Sequence, residues 1–248
     1  VAQQWTEGRV VEKRAFSGRH FALRVEAAIE PFQAGQFTKL GLSVDGEIIG
    51  RPYSLVNEPG ERILEFYFNV VAEGPLSGRL AALTSGEQLL VAPRASGFLI
   101  LSEVPQAPQL WMMATGTGIG PFISILKGRQ VWERFHRVTL VHAVRHAAEL
   151  AYRDVITRAE AERPSSLVYV PFVSREPCDF ALSGRIPQAL ADGRLETRAG
   201  IQVSAADSQF MLCGNPDMVR DTTDALIARG LKKHRRRDPG NISVENYW

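Results

Sequence analysis

The chain has 248 residues, 45% of them hydrophobic and 23% charged, enough to bury about 70% of its unfolded surface in one large domain or two of moderate size. Cys178 and Cys213 are too few for a disulfide framework or a cysteine metal set, and the histidines at 20, 136, 142, 146 and 234 show no H-E-x-x-H spacing. A formal net charge of +2 argues against a bulk polyanion binder such as a nucleic-acid coat, while leaving room for a local basic patch.

In chain order, the opening VAQQWTEGRVVEKR lacks the apolar stretch of a signal peptide, so a cytoplasmic protein is expected. Residues 8–16, 20–27, 35–42, 47–55, 63–71, 87–92 and 97–101 are β-rich runs parted by turn signals such as Asp45-Gly46 and Pro59-Gly60. Short strands at such spacing predict an antiparallel barrel or sandwich, interrupted by one helix over residues 77–83. Within it, Arg51-Pro52-Tyr53-Ser54 combines a cation, an aromatic plane and a hydroxyl, with Arg51 and Tyr53 on one strand face and Ser54 on the other. Downstream, Gly74-Pro75-Leu76-Ser77 is a small-residue turn with Ser77 placed as N-cap, a helix start suited to an anion. Taken singly, each also fits an ordinary strand or an ordinary capped helix.

Residues 104–126 carry no charge, yet Pro105, Pro108, Pro121, Gln106, Gln109 and three glycines break the run. A membrane-spanning helix needs about 20 predominantly apolar residues, so a linker, a buried strand and a glycine loop are expected instead. Apolar runs at 110–114, 138–143, 167–173 and 210–212 then alternate with helical segments at 121–130, 148–161, 186–191 and 216–229. This alternation predicts βαβ units and a parallel sheet, dividing the chain into residues 1–104 and 105–248.

The strand at 110–114 runs straight into Thr115-Gly116-Thr117-Gly118-Ile119-Gly120 and then a helix opened by Pro121. Glycines allow close backbone approach to a pyrophosphate, and the helix start supplies N–H donors. The spacing is not G-x-G-x-x-G, because Pro121 takes the last position, and no Lys-Ser/Thr follows as in a P-loop. An NAD site would place an acid at the end of the second strand. Here that strand ends in Arg145, the third in Ser174-Arg175, and Arg185 follows. Arginines on successive strand ends suit a 2′-phosphate, favouring NADP over NAD.

Taken together, Arg51-Pro52-Tyr53-Ser54, Gly74 to Ser77, Ala114 to Pro121, Cys213-Gly214-Asn215-Pro216 and the terminal Val244-Glu245-Asn246-Tyr247-Trp248 resemble ferredoxin–NADP(H) reductases of the compact bacterial type. The likeness covers essentially the whole chain. It implies a flavin-binding β-barrel, residues 1–104, followed by an NADP-binding α/β unit, residues 105–248, with a five-stranded parallel Rossmann-like sheet. It further implies that Arg51, Pro52, Tyr53 and Ser54 hold FAD, with Arg51 on the pyrophosphate, Tyr53 on the isoalloxazine and Ser54 toward N5. Tyr67 and Asn69 match the next flavin-lining strand, and Leu76 and Ser77 match the pyrophosphate turn. Thr115, Gly116 and Thr117 match the coenzyme loop, and Arg145, Ser174, Arg175 and Arg185 the 2′-phosphate pocket. Cys213 is expected near the nicotinamide, with Ser54 and Glu245 tuning the flavin. Tyr247 matches the aromatic that covers the flavin in the plastid pattern, and Trp248, one residue beyond, matches an adenine contact.

By this resemblance NADPH delivers two electrons as a hydride, and FAD passes them singly to ferredoxin or flavodoxin. Other readings are a different flavin or oxygenase reductase of the same superfamily, or a non-enzymatic NADP-binding redox sensor. The four-cysteine set of a fused iron–sulfur domain is absent. The run Lys232-Lys233-His234-Arg235-Arg236-Arg237 fits a solvated loop, or a surface that steers an acidic carrier, better than a nucleic-acid patch. A monomer without membrane or nucleic-acid partners is expected.

Overall fold

The computed structural model describes residues 3–246. The first sheet is built from β1 (Thr6–Ala15), β2 (His20–Ala27), β3 (Phe37–Val44), β4 (Glu47–Ser54), β5 (Ile63–Asn69) and, after helix α1 (Ser77–Ala82), β6 (Gln88–Val91). Its order is β4-β3-β6-β1-β2-β5, antiparallel at every pairing. The sheet curls until its two ends meet at a Leu55–Phe66 bridge and a Val56 N–H to Glu65 carbonyl bond of 2.9 Å, without a full closing ladder. Strand alternation puts Leu23, Val25, Leu64, Phe66 and Phe68 inside, where they pack with Leu40, Leu76 and Leu80.

The second sheet holds β7 (Gln109–Thr115), β8 (Arg137–Val144), β9 (Leu167–Val173), β10 (Leu182–Ser183), β11 (Ser208–Gly214) and β12 (Ile242–Asn246). All pairings are parallel, in the order β10-β9-β8-β7-β11-β12. Helices α2 (Gly120–Lys127), α3 (Gln130–Arg134), α4 (Arg153–Glu162), α5 (Ile186–Ala191), α6 (Arg194–Ala199) and α7 (Pro216–Ala228) accompany it. Separate apolar cores lie on its two faces, as expected of continuous hydrophobic strands. Strand order reverses between β7 and β11, which opens a crevice beyond their carboxyl ends.

The sheet has six strands where five were expected, because β10 is a two-residue strand held only by Phe172 and Val173, too short to leave a pattern. Residues 97–101 do not form the expected strand. Pairing with Phe37 ends at Ser96, and the chain turns into a single 3-10 turn over Leu101–Glu103. The helix expected over 121–130 is two helices, α2 and α3, and that expected over 148–161 starts only at Arg153. Before α4, Tyr152 adopts φ 59°, a conformation uncommon outside glycine. Helix α6 was missed because its six residues are mostly charged or polar and bury only Leu195 and Ala199. Ser77 is not an N-cap: it lies inside α1, and its Oγ accepts from the Val71 N–H at 2.9 Å, so it braces the preceding turn.

The two sheets share one core. Ala22, Val56, Tyr67, Leu99, Leu101 and Val104 pack with Met112, Phe122, Ile123 and Tyr152. Arg134 of α3 donates to the carbonyls of Leu101 and Val104, tying down the connection between the halves.

Candidate active site at the junction of the sheets

The glycine loop is positioned by contacts that leave no room for side chains. A Cβ at Gly118 would stand 2.5 Å from the Cys213 carbonyl oxygen, and one at Gly214 would stand 2.2 Å from Thr115 Oγ1. Thr115 Oγ1 in turn accepts from the Asn215 N–H at 2.8 Å. The ends of β7 and β11 are thereby locked together. Asn215 caps α7, its side chain accepting from the N–H groups of Asp217 and Met218, so a helix start with donors and positive dipole faces the crevice. Beneath the loop lies His142 of β8, fully buried, with Nε2 2.9 Å from the Gly116 carbonyl. A carbonyl only accepts, so Nε2 carries a proton. Burial pushes its pKa down to about 4.

Thr115, Gly116, Thr117, Arg145, Ser174, Arg175, Arg185 and Asn69 all line one cleft of about 470 Å³. The pairing of β8 with β9 continues past the strand ends: Ser174 N–H donates to the Val144 carbonyl at 3.1 Å and Arg175 N–H to the Arg145 carbonyl at 2.9 Å. Arg145 and Arg175 are therefore side by side, with Arg185 at the start of α5. The nearby acids are engaged elsewhere. Glu176 accepts from Ala147 N–H and His146, Glu149 from the N–H groups of Arg145 and His146, and Asp217 and Asp221 pair with Arg220. Arg145, Arg175 and Arg185 make no ion pair among the described residues, so their charge faces the cleft uncompensated.

On the barrel side, Arg51 is exposed, and among the described residues its Nη1 donates to the neighbouring Gly50 carbonyl at 2.8 Å. Tyr53 is half-buried, edge-on to Phe68 at 5.6 Å between ring centroids, with its phenol pKa pushed up to about 12 by burial. Ser54 is buried on the opposite face, backed by Gly120 at the start of α2. Pro52 is exposed beside it, and Leu76 is buried at the mouth of α1. Tyr67 is more enclosed than a lining residue: its ring packs edge-on against Phe16 and Tyr152. Its hydroxyl is buried without a partner among the described residues, and burial raises its pKa.

Cys213 and Glu245 are register partners on β11 and β12. Glu245 reaches back toward the barrel, where a Cβ at Gly97 would stand 3.0 Å from its Oε2. Its Oε1 is buried with no partner among the described residues, and burial raises its pKa to about 7. Tyr247 and Trp248 lie outside the described residues.

Sequence reasoning missed Arg19 and His20, which also line the cleft. Their signal was a Ser-Gly-Arg-His turn between strands, indistinguishable from a solvated hairpin. It also missed His142, a histidine inside an apolar strand. In the basic run, Lys232 pairs with Asp238 and Arg236 with Glu103, and the Arg236 guanidinium lies over exposed Phe98 at 4.4 Å. Lys233, Arg235 and Arg237 make no ion pair among the described residues.

Residues 112–224 match the oxidoreductase NAD-binding domain family. The chain is 45% identical over 245 residues to the flavodoxin/ferredoxin–NADP reductase of Escherichia coli K12, covering 98% of this chain and 99% of the relative. It is 36% identical over 223 residues to the ferredoxin–NADP reductase of Pseudomonas aeruginosa, with 86% of each chain covered. The crystal structure of a ferredoxin NADP+ reductase from Neisseria gonorrhoeae with bound FAD and NADP superposes with a TM-score of 0.93, at 31% identity and complete coverage of both chains.

Proposed function

Because the chain belongs to the flavodoxin/ferredoxin–NADP reductase family, we propose that it moves electrons between NADPH and a one-electron carrier, ferredoxin or flavodoxin, through bound FAD. The observation that carries this reading is the cleft itself, where a tightly locked glycine loop and three arginines without an ion pair among the described residues face Arg19, His20 and Asn69 of the barrel. Residues 1–104 form the FAD-binding unit and residues 105–248 the NADP-binding unit.

The residues present fit both groups. Guanidinium groups at Arg51 and at Arg145, Arg175 and Arg185, without an ion pair among the described residues, suit phosphates on each side of the junction. The half-buried ring of Tyr53 suits an aromatic ligand plane. Bound FAD supplies what side chains lack, accepting a hydride's two electrons together and releasing them one at a time.

The chain's own work is to bind, orient and seal. Arg51, Pro52, Tyr53, Leu76 and Ser77 hold FAD, with Tyr67 and Asn69 on the neighbouring strand. Thr115, Gly116 and Thr117 hold the coenzyme, and Arg145, Ser174, Arg175 and Arg185 read its 2′-phosphate. Cys213 and Ser54, on β11 and β4, would orient the nicotinamide and flavin rings, and fixing reactants in place lowers the barrier to transfer. Glu245, protonated below about pH 7, holds a proton at its carboxyl beside that junction. Tyr247 and Trp248 cover the flavin and its adenine. Lys233, Arg235 and Arg237 steer an acidic carrier. With Cys178 and Cys213 both thiols, the reading places a monomeric enzyme in the reducing cytoplasm. Among the described residues no helix is long and apolar enough to cross a membrane.

The test is the visible spectrum of the purified protein, followed by NADPH oxidation with a one-electron acceptor. One releasable FAD per chain and steady turnover are expected. A colourless protein, or a yellow one that NADPH does not reduce, would overturn the assignment.

A further inference from the structure

The hairpin between β1 and β2 belongs to the barrel, yet it is docked on the other half of the molecule. Phe16 at its base lies 4.9 Å from the ring of Tyr152 and 5.2 Å from that of Tyr67. Arg14 stacks over Phe16 at 4.5 Å and pairs with Asp154 of α4 at 3.6 Å. The tip beyond Phe16 is held by its own hydrogen bonds. Ser17 Oγ lies 2.8 Å from His20 Nδ1 and accepts from the Arg19 N–H at 3.3 Å, while Arg19 Nη2 donates to the Val70 carbonyl at 3.2 Å. The tip is thus fixed on the barrel wall of the cleft, beside Asn69, which is the register partner of His20 on β5.

Resting on the function proposed above, we infer that Arg19 grips the coenzyme's pyrophosphate from the barrel side, so that NADP(H) is clamped between the two halves of the chain. Arg19 makes no ion pair among the described residues, and Glu149, the acid facing the tip, is occupied by the Arg145 and His146 N–H groups. The position separates its role from that of the other arginines. Arg145, Arg175 and Arg185 sit beyond the ends of β8 and β9 and at the start of α5, whereas Arg19 stands on the flavin-bearing sheet. Across the cleft, the glycine loop's Thr115, Gly116 and Thr117 take the coenzyme's shared pyrophosphate and not its 2′-phosphate. Burial lowers the pKa of His20, which disfavours a charge there. Arg19 is therefore the hairpin's anion-binding group.

The experiment is equilibrium titration of the holoprotein with NADP+, NAD+ and 2′-AMP, comparing wild type with Arg19→Ala, Arg19→Gln and Arg19→Lys. Removing one charge-assisted contact should weaken NADP+ and NAD+ by the same factor, about tenfold, in both neutral variants. 2′-AMP, which lacks a pyrophosphate, should bind unchanged, and Arg19→Lys should recover part of the loss as a point charge. Flavin absorbance, which reports an intact fold, should match wild type throughout. NADP+ binding at wild-type strength in both neutral variants would overturn the inference, as would a loss confined to NADP+ and 2′-AMP. Failure of the wild type itself to bind NADP+ would instead sink the underlying functional reading.

Discussion

Two ionisable residues, His142 fully buried and Glu245 half-buried, pull stability in opposite directions as pH changes. Glu245 has its pKa raised to about 7 by burial, so the folded protein keeps a proton that the unfolded chain loses from about pH 4.5 upward. Its contribution is full below that pH and is lost as pH rises through 7. His142 has its pKa lowered to about 4, so the unfolded chain takes up a proton below about pH 6.5 that the folded state refuses. Its contribution is full above that pH and is lost as pH falls through 4. Between about pH 4.5 and 6.5 the slopes oppose each other. Glu245→Gln should therefore gain stability relative to wild type as pH rises from 5 to 8, by at most about 3 kcal/mol. His142→Gln should gain relative to wild type as pH falls from 6.5 to 4. Thermal melts of each variant at half-unit pH steps give the comparison, and parallel curves would show that neither group titrates differently in the fold.

At the scale of elements, the extension of β8–β9 pairing past the strand ends sets Arg175 beside Arg145 while Glu176 turns away to Ala147 and His146, and the proposed coenzyme preference rests on that arrangement. Replacing Arg175 and Arg185 together with Ala should cost NADPH roughly 3–5 kcal/mol in kcat/KM if the two act independently. NADH should be nearly unaffected. Equal losses with both coenzymes would show that the pair does not read the 2′-phosphate. This site was legible in the sequence because strand-end position and residue charge both survive in one dimension: Arg145, Ser174, Arg175 and Arg185 meet in one cleft, as their spacing suggested. Short elements were not legible. The two residues of β10 and the six of α6 bury too little to impose a period. Ser77 had the composition of a cap but serves the turn before α1, since Val71 N–H competes for its hydroxyl. Arg19 and His142 owe their placement to contacts with distant segments, and no local pattern marks them.

Across the whole molecule, the surface run 232–237 divides into cations held in ion pairs and cations with no ion pair among the described residues. Arg236 and Lys232 are held by Glu103 and Asp238, whereas Lys233, Arg235 and Arg237 are not so engaged. Changing those three to Ser should slow reduction of an acidic ferredoxin or flavodoxin at low salt and flatten its ionic-strength dependence, since separated surface charges act over a Debye length of roughly 8 Å at physiological salt. NADPH-driven reduction of a small uncharged acceptor should be unchanged. Stopped-flow rates across a salt series supply the measurement, and wild-type slopes in the triple variant would identify the run as a solvated loop.

The packing of Phe16, Tyr67 and Tyr152 has a bearing on how such chains can be recombined. The backbone at Tyr152 is held at φ 59°, and its hydroxyl donates to Glu65 of the barrel at 2.7 Å, with Lys127 pairing the same carboxylate. The two halves are therefore not interchangeable modules. A hybrid joining this barrel to a relative's α/β half inherits a polar, aromatic lock cut for one key. Unless the incoming half brings a large hydroxylated ring to the place of Tyr152 and a cation to that of Lys127, Glu65 is left half-buried without these partners and Phe16 and Tyr67 lose their cover. The seam between the halves, more than either half alone, is what descendants of this chain must keep when their parts are exchanged.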